Sequence, residues 1–262
     1  MFKLFRWRPK WKPKAGGLLK GNTTPKSRKL HRRLKKKRIL RGLLYAAGGF
    51  FLLIVLLFAW YAKDLPTPEK LASHRATEST KIFYRKGTPL YETGAQRRTV
   101  ITADQMPANI RQATVAIEDK DFYKHQGIDF SGIARAALTD IAGGRVSQGG
   151  STITQQFVKN ALLSPKRTFD RKIKELILSL ELEQTRSKDD ILTLYLNEIP
   201  YGSNVYGVQE ASRMYYGKDA KDLTLSESAT LAAIPQRPTY YSPYGSHTDD
   251  LFVRKNKVLD NM

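Results

Sequence analysis

The sequence contains no cysteine and only four histidines. Without cysteine the chain can form neither disulfides nor thiolate metal sites, and no two histidines have the spacing of a zinc site. It also contains neither a G-x-S-x-G elbow nor a phosphate-binding P-loop. Serine-hydrolase and nucleotide-hydrolase functions therefore lack support, and the absence of cysteine suits an exported domain.

Acidic residues are missing from the first 63 residues, and the first one is Asp64. The formal net charge is +21, and 17 lysines and arginines lie between Lys3 and Arg41, which leaves a net +4 for the rest of the chain. Residues 1–41 are rich in proline, glycine and lysine, so we expect a disordered tail without a packed core. Its expected partners are anionic inner-leaflet lipids, with no specific nucleic acid.

A run of 21 uncharged residues follows at 42–62. A helix of that length is about 32 Å long, which matches the hydrocarbon core of a bilayer. Trp60 and Tyr61 lie at its far end, as interfacial aromatic residues do. A cleaved signal peptide is the alternative, but the apolar and basic regions are both too long for one. The sequence predicts a single-pass transmembrane helix, with the basic N-terminus in the cytoplasm and everything beyond it extracytoplasmic.

Residues 63–94 read as a linker that contains two short strands, "KIFYR" and "PLYE", around a Lys-Gly turn. From Pro107 onward the patterns are mainly helical, so residues 95–262 are expected to form one mainly α domain. The apolar stripes are Ile110, Ala113, Thr114 and Ile117, then Ile133, Ala134, Ala137, Leu138 and Ile141; the capping boxes are Ser187 with Asp190 and Thr224 with Glu227.

Three acids lie within four residues in "VAIEDKDFYKHQGIDF" (115–130): Glu118, Asp119 and Asp121. Buried acids are costly unless they are paired or used, so this cluster is either a solvated helix end or a site. His125 lies close behind, and a lone histidine is more often a structural hydrogen-bonding residue than a catalyst.

Two later stretches combine amides, cations and a further acid. In "GGSTITQQ" (149–156), a helix capped by Ser151 or Thr152 could present backbone N–H groups to an anion, or it could be an ordinary helix with a polar face. In "RKIKE" (171–175), Glu175 follows two cations at i+4 and i+3, as a solvated ion pair or as a diphosphate site. Composition and spacing alone do not identify the reaction.

Five ordered motifs resemble the peptidoglycan glycosyltransferase (transglycosylase) domain of class A penicillin-binding proteins. They are "EDKDFYKHQGID" (118–129), "GGSTITQQ" (149–156), "RKIKE" (171–175), "KDDILTLYLNEIPYG" (188–202) and "RKNKVL" (254–259). The fifth has Lys255 in place of the family's second arginine, which keeps the charge but loses the guanidinium fork.

The resemblance implies a mainly α, lysozyme-like fold with a cleft beside the membrane, and polymerisation of lipid II into β-1,4-linked glycan with inversion and release of undecaprenyl diphosphate. It implies that Glu118 is the base. Glu175 would be a second acid that assists the diphosphate through a divalent cation (Mg or Mn) or an ordered polar network. The expected substrate-binding residues are Asp119, Phe122, His125, Ser151, Thr152, Gln156, Lys159, Asn160, Arg171, Lys172 and Asn197.

The resemblance also implies a bacterial cell-membrane location and cell-wall synthesis proteins as partners. A lytic, glycan-cleaving enzyme and an inactive anchored scaffold of the same fold remain as alternatives. Because the sequence stops within a helical pattern, we expect a piece of a longer bifunctional protein whose transpeptidase domain is absent from these residues.

Overall fold

The computed structural model describes residues 25–63, 65, 79–86, 89–93, 96–135, 150–166 and 168–262. The chain divides into two units, Met1–Leu56 and Leu57–Met262, and each is described by itself.

The first helix, α1 (Pro25–Ala62), is 38 residues long. Its segment Lys35–Tyr61 is long and apolar enough to cross a membrane, and it contains most of the expected span 42–62. The expectation of disorder up to residue 41 is wrong for residues 25–41, which are helical. Lysine, arginine and leucine favour helix, and the adjoining apolar helix spares this stretch the cost of nucleation. Residues 1–24 lie outside the described part.

The strand pair predicted within the linker is confirmed. Strand β1 (Thr80–Phe83) pairs antiparallel with β2 (Pro89–Thr93), and Thr80 lies opposite Thr93. Residues 66–78 of the predicted linker lie outside the described residues. A second small sheet has the order β3-β5-β4, formed by β3 (Arg97–Arg98), β4 (Pro200–Gly202) and β5 (Val205–Tyr206).

The second unit is mainly α in the residues described, as predicted. Its helices are α2 (Ala108–Glu118), α3 (Ile153–Leu162), α4 (Phe169–Thr185), α5 (Lys188–Glu198), α6 (Val208–Tyr216), α7 (Leu225–Ala233) and α8 (Thr248–Asn261), with 3-10 turns at Ala103–Gln105 and Ala220–Asp222. Both predicted capping boxes are present, at Ser187 and Thr224. Of the helix predicted at 131–144, residues 130–135 are helical and 136–149 lie outside the described residues.

Helix packing positions the site. Helix α3 packs against α4 and α5, while α2 packs against α7 and α8. The apolar stripe of α2 is buried through Ile110 and Ala113, which are both 0% exposed. Since the buried stripe fixes the rotation of α2, its last residue, Glu118, lies between α3 and α8.

Candidate active site

A cleft of about 560 Å³ lies where the C-terminal end of α2 meets the N-terminal end of α3 and one face of α8. Its lining is polar and carries charges of both signs. The lining residues used below are Glu118, Asp119, Ser151, Thr152, Gln156, Lys159, Arg254 and Lys257.

Glu118 is held in this cleft by two donors from different helices. Gln156 Nε2 donates to Glu118 Oε2 at 2.8 Å, and Arg254 Nη2 donates to Glu118 Oε1 at 3.0 Å. The Glu118 side chain is only 8% exposed. The cluster "EDKD" is therefore not simply a solvated helix end, because its first carboxylate is buried and paired.

The polar chain continues behind Gln156. The hydroxyl of Tyr195, a fully buried residue of α5, donates to Gln156 Oε1 at 3.3 Å. On the other side, Arg254 Nε donates to the Ala233 carbonyl at the end of α7, at 3.0 Å. The orientation of Glu118 thus depends on α3, α5, α7 and α8 together.

The Asp119 carboxylate is bound by other groups of the protein itself. It accepts from His125 Nε2, with 3.0 Å to each oxygen, and from the backbone N–H of Ile153 at 3.0 Å. A side-chain carboxylate at the N-terminus of a helix stabilises the helix, because it accepts from the free N–H groups there and interacts favourably with the helix dipole. At the Ile153 N–H, the anion predicted for the start of α3 is therefore the chain's own Asp119, which lines the cleft while His125 holds its carboxylate.

Thr152, one of the two predicted caps, is the N-cap of α3, and its hydroxyl oxygen accepts from the Gln155 N–H at 3.2 Å. The same hydroxyl donates to the Gly127 carbonyl at 2.7 Å. Gly127 has φ +78°, and a Cβ there would lie 2.9 Å from the Ser179 carbonyl oxygen. The second motif is therefore tied to the first at a position that only glycine fits.

Glu175 is 2% exposed, so the solvated-ion-pair interpretation is wrong for this carboxylate. Lys172 Nζ donates to Glu175 Oε1 at 2.5 Å and to Ser151 Oγ at 3.1 Å, and lies 3.5 Å from Gln155 Oε1. The Lys172 side chain is 46% exposed, so the pair joins a buried carboxylate to an ammonium at the protein surface.

Glu175 contacts an ammonium, that of Lys172, at 2.5 Å. Among the residues described, no three His, Asp or Glu side chains are grouped so that they could hold a metal ion by themselves. Magnesium usually binds one or two carboxylates together with substrate phosphates, so the expected divalent cation near Glu175 stays a prediction, as does the alternative of an ordered polar network.

Lys159 is a partly buried cation that lines the cleft. Burial lowers the pKa of Lys159. The charges of Arg171 and Lys172 lower it further, whereas those of Glu175 and Glu118 raise it. Arg171 Nη1 donates to the Pro165 carbonyl at 3.3 Å. Asn160 is exposed on α3, one residue beyond Lys159.

Six of the predicted substrate-binding residues do not line the cleft, and neither does the predicted second acid, Glu175; the six are Phe122, His125, Asn160, Arg171, Lys172 and Asn197. Phe122 is a fully buried core residue whose ring lies under Lys188 Nζ at 4.5 Å. Asn197 Oδ1 accepts from the backbone N–H of Ile101 at 3.0 Å, and Asn197 Nδ2 donates to the Ile101 carbonyl at 2.9 Å. Both side chains make packing or backbone contacts, which explains their place in the motifs without a ligand.

Conversely, the sequence reasoning did not select Arg254 or Tyr195 as site residues. Arg254 lies in the quoted fifth motif, which was a signal that could have found it. Lys255, the departure from the family pattern, lies with its ammonium 5.4 Å from the Phe252 ring and is not among the cleft-lining residues.

Comparisons with known proteins agree on one family. The transglycosylase family model matches residues 86–262. Penicillin-binding protein 1A of Aquifex aeolicus is 40% identical over 227 residues, covering 86% of this chain and 31% of that protein. Penicillin-binding protein 1F of Bacillus subtilis is 39% identical over 232 residues, covering 87% and 32%. Penicillin-binding protein 1A of Escherichia coli is 41% identical over 206 residues, covering 79% and 24%.

A solved structure, penicillin-binding protein 1A from Haemophilus influenzae, matches at a TM-score of 0.40 and 24% identity, covering 72% of this chain and 18% of that one. The chain spans about a third or less of the length of these curated relatives.

Proposed function

Because this chain belongs to the transglycosylase family found in class A penicillin-binding proteins, we propose that it is a peptidoglycan glycosyltransferase that polymerises lipid II into β-1,4-linked glycan. The observation that carries the proposal is the position of Glu118, an acid held between Gln156 and Arg254 in the same cleft as Lys159.

Glu118 is suited to act as a base. Its carboxylate receives two N–H donors, and since a carboxylate has about four lone-pair positions, sites remain for an incoming sugar hydroxyl. A positioned base contributes about 10²–10⁴-fold to such a reaction. A lytic enzyme would need an acid here that donates a proton, whereas both recorded partners of the Glu118 carboxylate are N–H donors.

The leaving group would be met by side-chain cations. Lys159 lies in the cleft within electrostatic range of Arg171, Lys172 and Glu175. Fixed cations stabilise the charge that develops on a departing diphosphate, and they need no reorganisation during the reaction. Glu175 would hold Lys172 in place, so that the second acid acts through an ammonium.

The step that we propose transfers one proton and one glycosyl group. The 4-hydroxyl of the lipid II sugar attacks the anomeric carbon of the lipid-linked glycan as Glu118 takes its proton. The bond between that carbon and the diphosphate oxygen breaks, and the diphosphate leaves with the electron pair. Attack from the face opposite the leaving group inverts the α linkage to β.

We also propose that the apolar part of α1 anchors the chain in the bacterial cell membrane as a single span. The basic residues up to Arg41 would then lie in the cytoplasm. The apolar segment Lys35–Tyr61 supports the span, and the lysines and arginines on its N-terminal side support the orientation. Since both substrates carry lipids, an anchored enzyme would search for them in two dimensions.

The test is glycan synthesis by the detergent-solubilised chain from labelled lipid II, followed by gel separation of the products. Glu118→Gln should abolish polymerisation in a chain that still folds and still shows a cooperative unfolding transition. Glu181→Gln makes the same chemical change on α4, outside the cleft, and should keep wild-type synthesis. Near-normal polymerisation by Glu118→Gln would refute the base assignment. Cleavage of mature peptidoglycan by the wild type, without polymerisation, would favour the lytic alternative.

A further inference from the structure

We propose that Tyr195 is a positioning residue for the base: its hydroxyl fixes the orientation of the Gln156 side-chain amide, so that an N–H and not a carbonyl faces Glu118. The inference rests on the proposed function. Tyr195 is 0% exposed and does not line the cleft, from which Gln156 separates it.

The orientation of this amide decides what Glu118 meets. As placed, Gln156 Nε2 donates to Glu118 Oε2 at 2.8 Å, and Gln156 Oε1 accepts from the Tyr195 hydroxyl at 3.3 Å. Rotating the amide by half a turn would bring its oxygen against the carboxylate. That contact repels an ionised Glu118, but a protonated Glu118 could donate to the same oxygen. The amide orientation and the charge of Glu118 are therefore coupled.

Tyr195 acts on this coupling because its hydroxyl donates to Oε1. In the rotated amide Nε2 could donate to the phenol oxygen instead, but the phenol proton would then have no acceptor recorded for it among the residues described. Burial, and after it the charge of Glu118, raise the pKa of Tyr195 well above its usual value. The phenol therefore keeps its proton throughout the working pH range. Hydrogen bonds in a chain also polarise one another, so the Tyr195 bond strengthens the Gln156 donor that Glu118 receives.

Other groups act on Glu118 from the surrounding elements, and the experiment has to hold them constant. They are Arg254 and Lys257 on α8, Lys159 on α3, Tyr201 on β4, and the neighbouring Asp119 and Lys120. Tyr195→Phe alters none of them, since it removes a single oxygen from a buried ring.

The Tyr195→Phe enzyme should lose about two- to fivefold in kcat near neutral pH, the upper end being the worth of one ordinary net hydrogen bond, because 3.3 Å is long for an O–H···O bond. The acid limb of its kcat profile should move up by roughly half a pH unit, while KM stays within about twofold. The same substitution in a Gln156→Ala background should have no further effect, because the group that it orients is gone.

Tyr201→Phe is the matched control. Tyr201 is also fully buried near Glu118, but its hydroxyl has no hydrogen-bond partner among the residues described. Because it breaks no hydrogen bond to Gln156, it should lower kcat and move the acid limb clearly less than Tyr195→Phe does. An equal shift in Tyr201→Phe, or a rate loss in Tyr195→Phe without movement of the limb, would overturn the proposal.

A readout without turnover separates this proposal from the proposed function. In ¹⁵N-labelled protein the Gln156 side-chain amide signals should follow the protonation of Glu118, and their midpoint should rise in Tyr195→Phe. An unchanged midpoint refutes the positioning role, even if the wild type polymerises lipid II. A raised midpoint in a protein that does not polymerise lipid II would uphold the positioning role and refute the proposed function.

Discussion

Replacing Arg254 with methionine tests the contact on which the site depends. The guanidinium donates to Glu118 at 3.0 Å and to the Ala233 carbonyl at 3.0 Å, and the two charged side chains are 12% and 8% exposed. Methionine keeps much of the apolar stem and removes both donors. It leaves Glu118 with Gln156 as the one remaining donor recorded for its carboxylate in the described residues.

The expected cost follows from the two bonds. A hydrogen bond to a charged group is worth about 1.5–3 kcal/mol and an ordinary one about 1 kcal/mol. Removing one partner of a fully buried pair costs about 3–5 kcal/mol, but Glu118 faces an open cleft where water can partly replace the lost donor. We therefore expect Arg254→Met to lower the free energy of unfolding by about 2–3 kcal/mol. Arg254→Lys should recover about half, since an ammonium lacks the fork that spans both acceptors.

The measurement is denaturant unfolding of the detergent-solubilised chain, together with glycan synthesis. Arg111→Met is the matched control, because Arg111 pairs with Asp189 on the surface, with side chains 25% and 62% exposed. Exposed pairs contribute about 0–1 kcal/mol, so this control should unfold almost as the wild type does. If Arg254→Met costs no more than Arg111→Met, or retains full synthesis, the account of Glu118 as a base held by Arg254 is refuted.

Two further predictions concern charge and backbone. Because burial lowers the pKa of Lys159, its ammonium loses its proton at a lower pH than an ordinary lysine, and lipid II affinity should weaken as the pH rises through that value. Lys159→Arg stays charged, so the alkaline limb of a 1/KM profile should move to higher pH; an unmoved limb would exclude Lys159 as the group responsible. The backbone at Gly127 has φ +78°, and an alanine Cβ there would lie 2.9 Å from the Ser179 carbonyl oxygen. Gly127→Ala should therefore lower the free energy of unfolding by at least about 2 kcal/mol, measured with denaturant. A loss below about 0.5 kcal/mol would show that this turn relaxes freely.

The parts of the fold that the sequence predicts correctly depend on near neighbours. The capping boxes at Ser187 and Thr224 join residues three apart, and the buried stripe of α2 repeats within three turns. The strand pair around residues 80–93 forms across a short connection. The start of α1 was predicted incorrectly, because disorder of the tail was inferred from composition alone. Lysine and arginine are good helix formers, and beside an established helix they extend it.

The site depends instead on partners that are distant in the sequence. Arg254 and Glu118 are 136 positions apart, and Tyr195 and Gln156 are 39 apart. "ILTLYLNEI" looks like any core helix, so nothing local marks Tyr195 as a partner of a cleft residue. Asn197 shows the converse case: an amide in a motif suits a ligand or a backbone equally well, and the structure shows it bonded to the backbone of Ile101.

The same reasoning decides how the cleft would meet a diphosphate. Glycines before a helix predict free N–H groups for an anion, yet the Ile153 N–H is already bound by Asp119. We therefore expect negative charge on a substrate to be met mainly by side-chain cations that line the cleft, among them Lys159 and Lys257. Side-chain cations near solvent are screened by salt, whereas backbone donors packed against a phosphate are screened less. Raising the ionic strength should therefore increase KM for lipid II while leaving kcat at saturation nearly constant, and a salt-independent KM would return the backbone N–H groups to consideration.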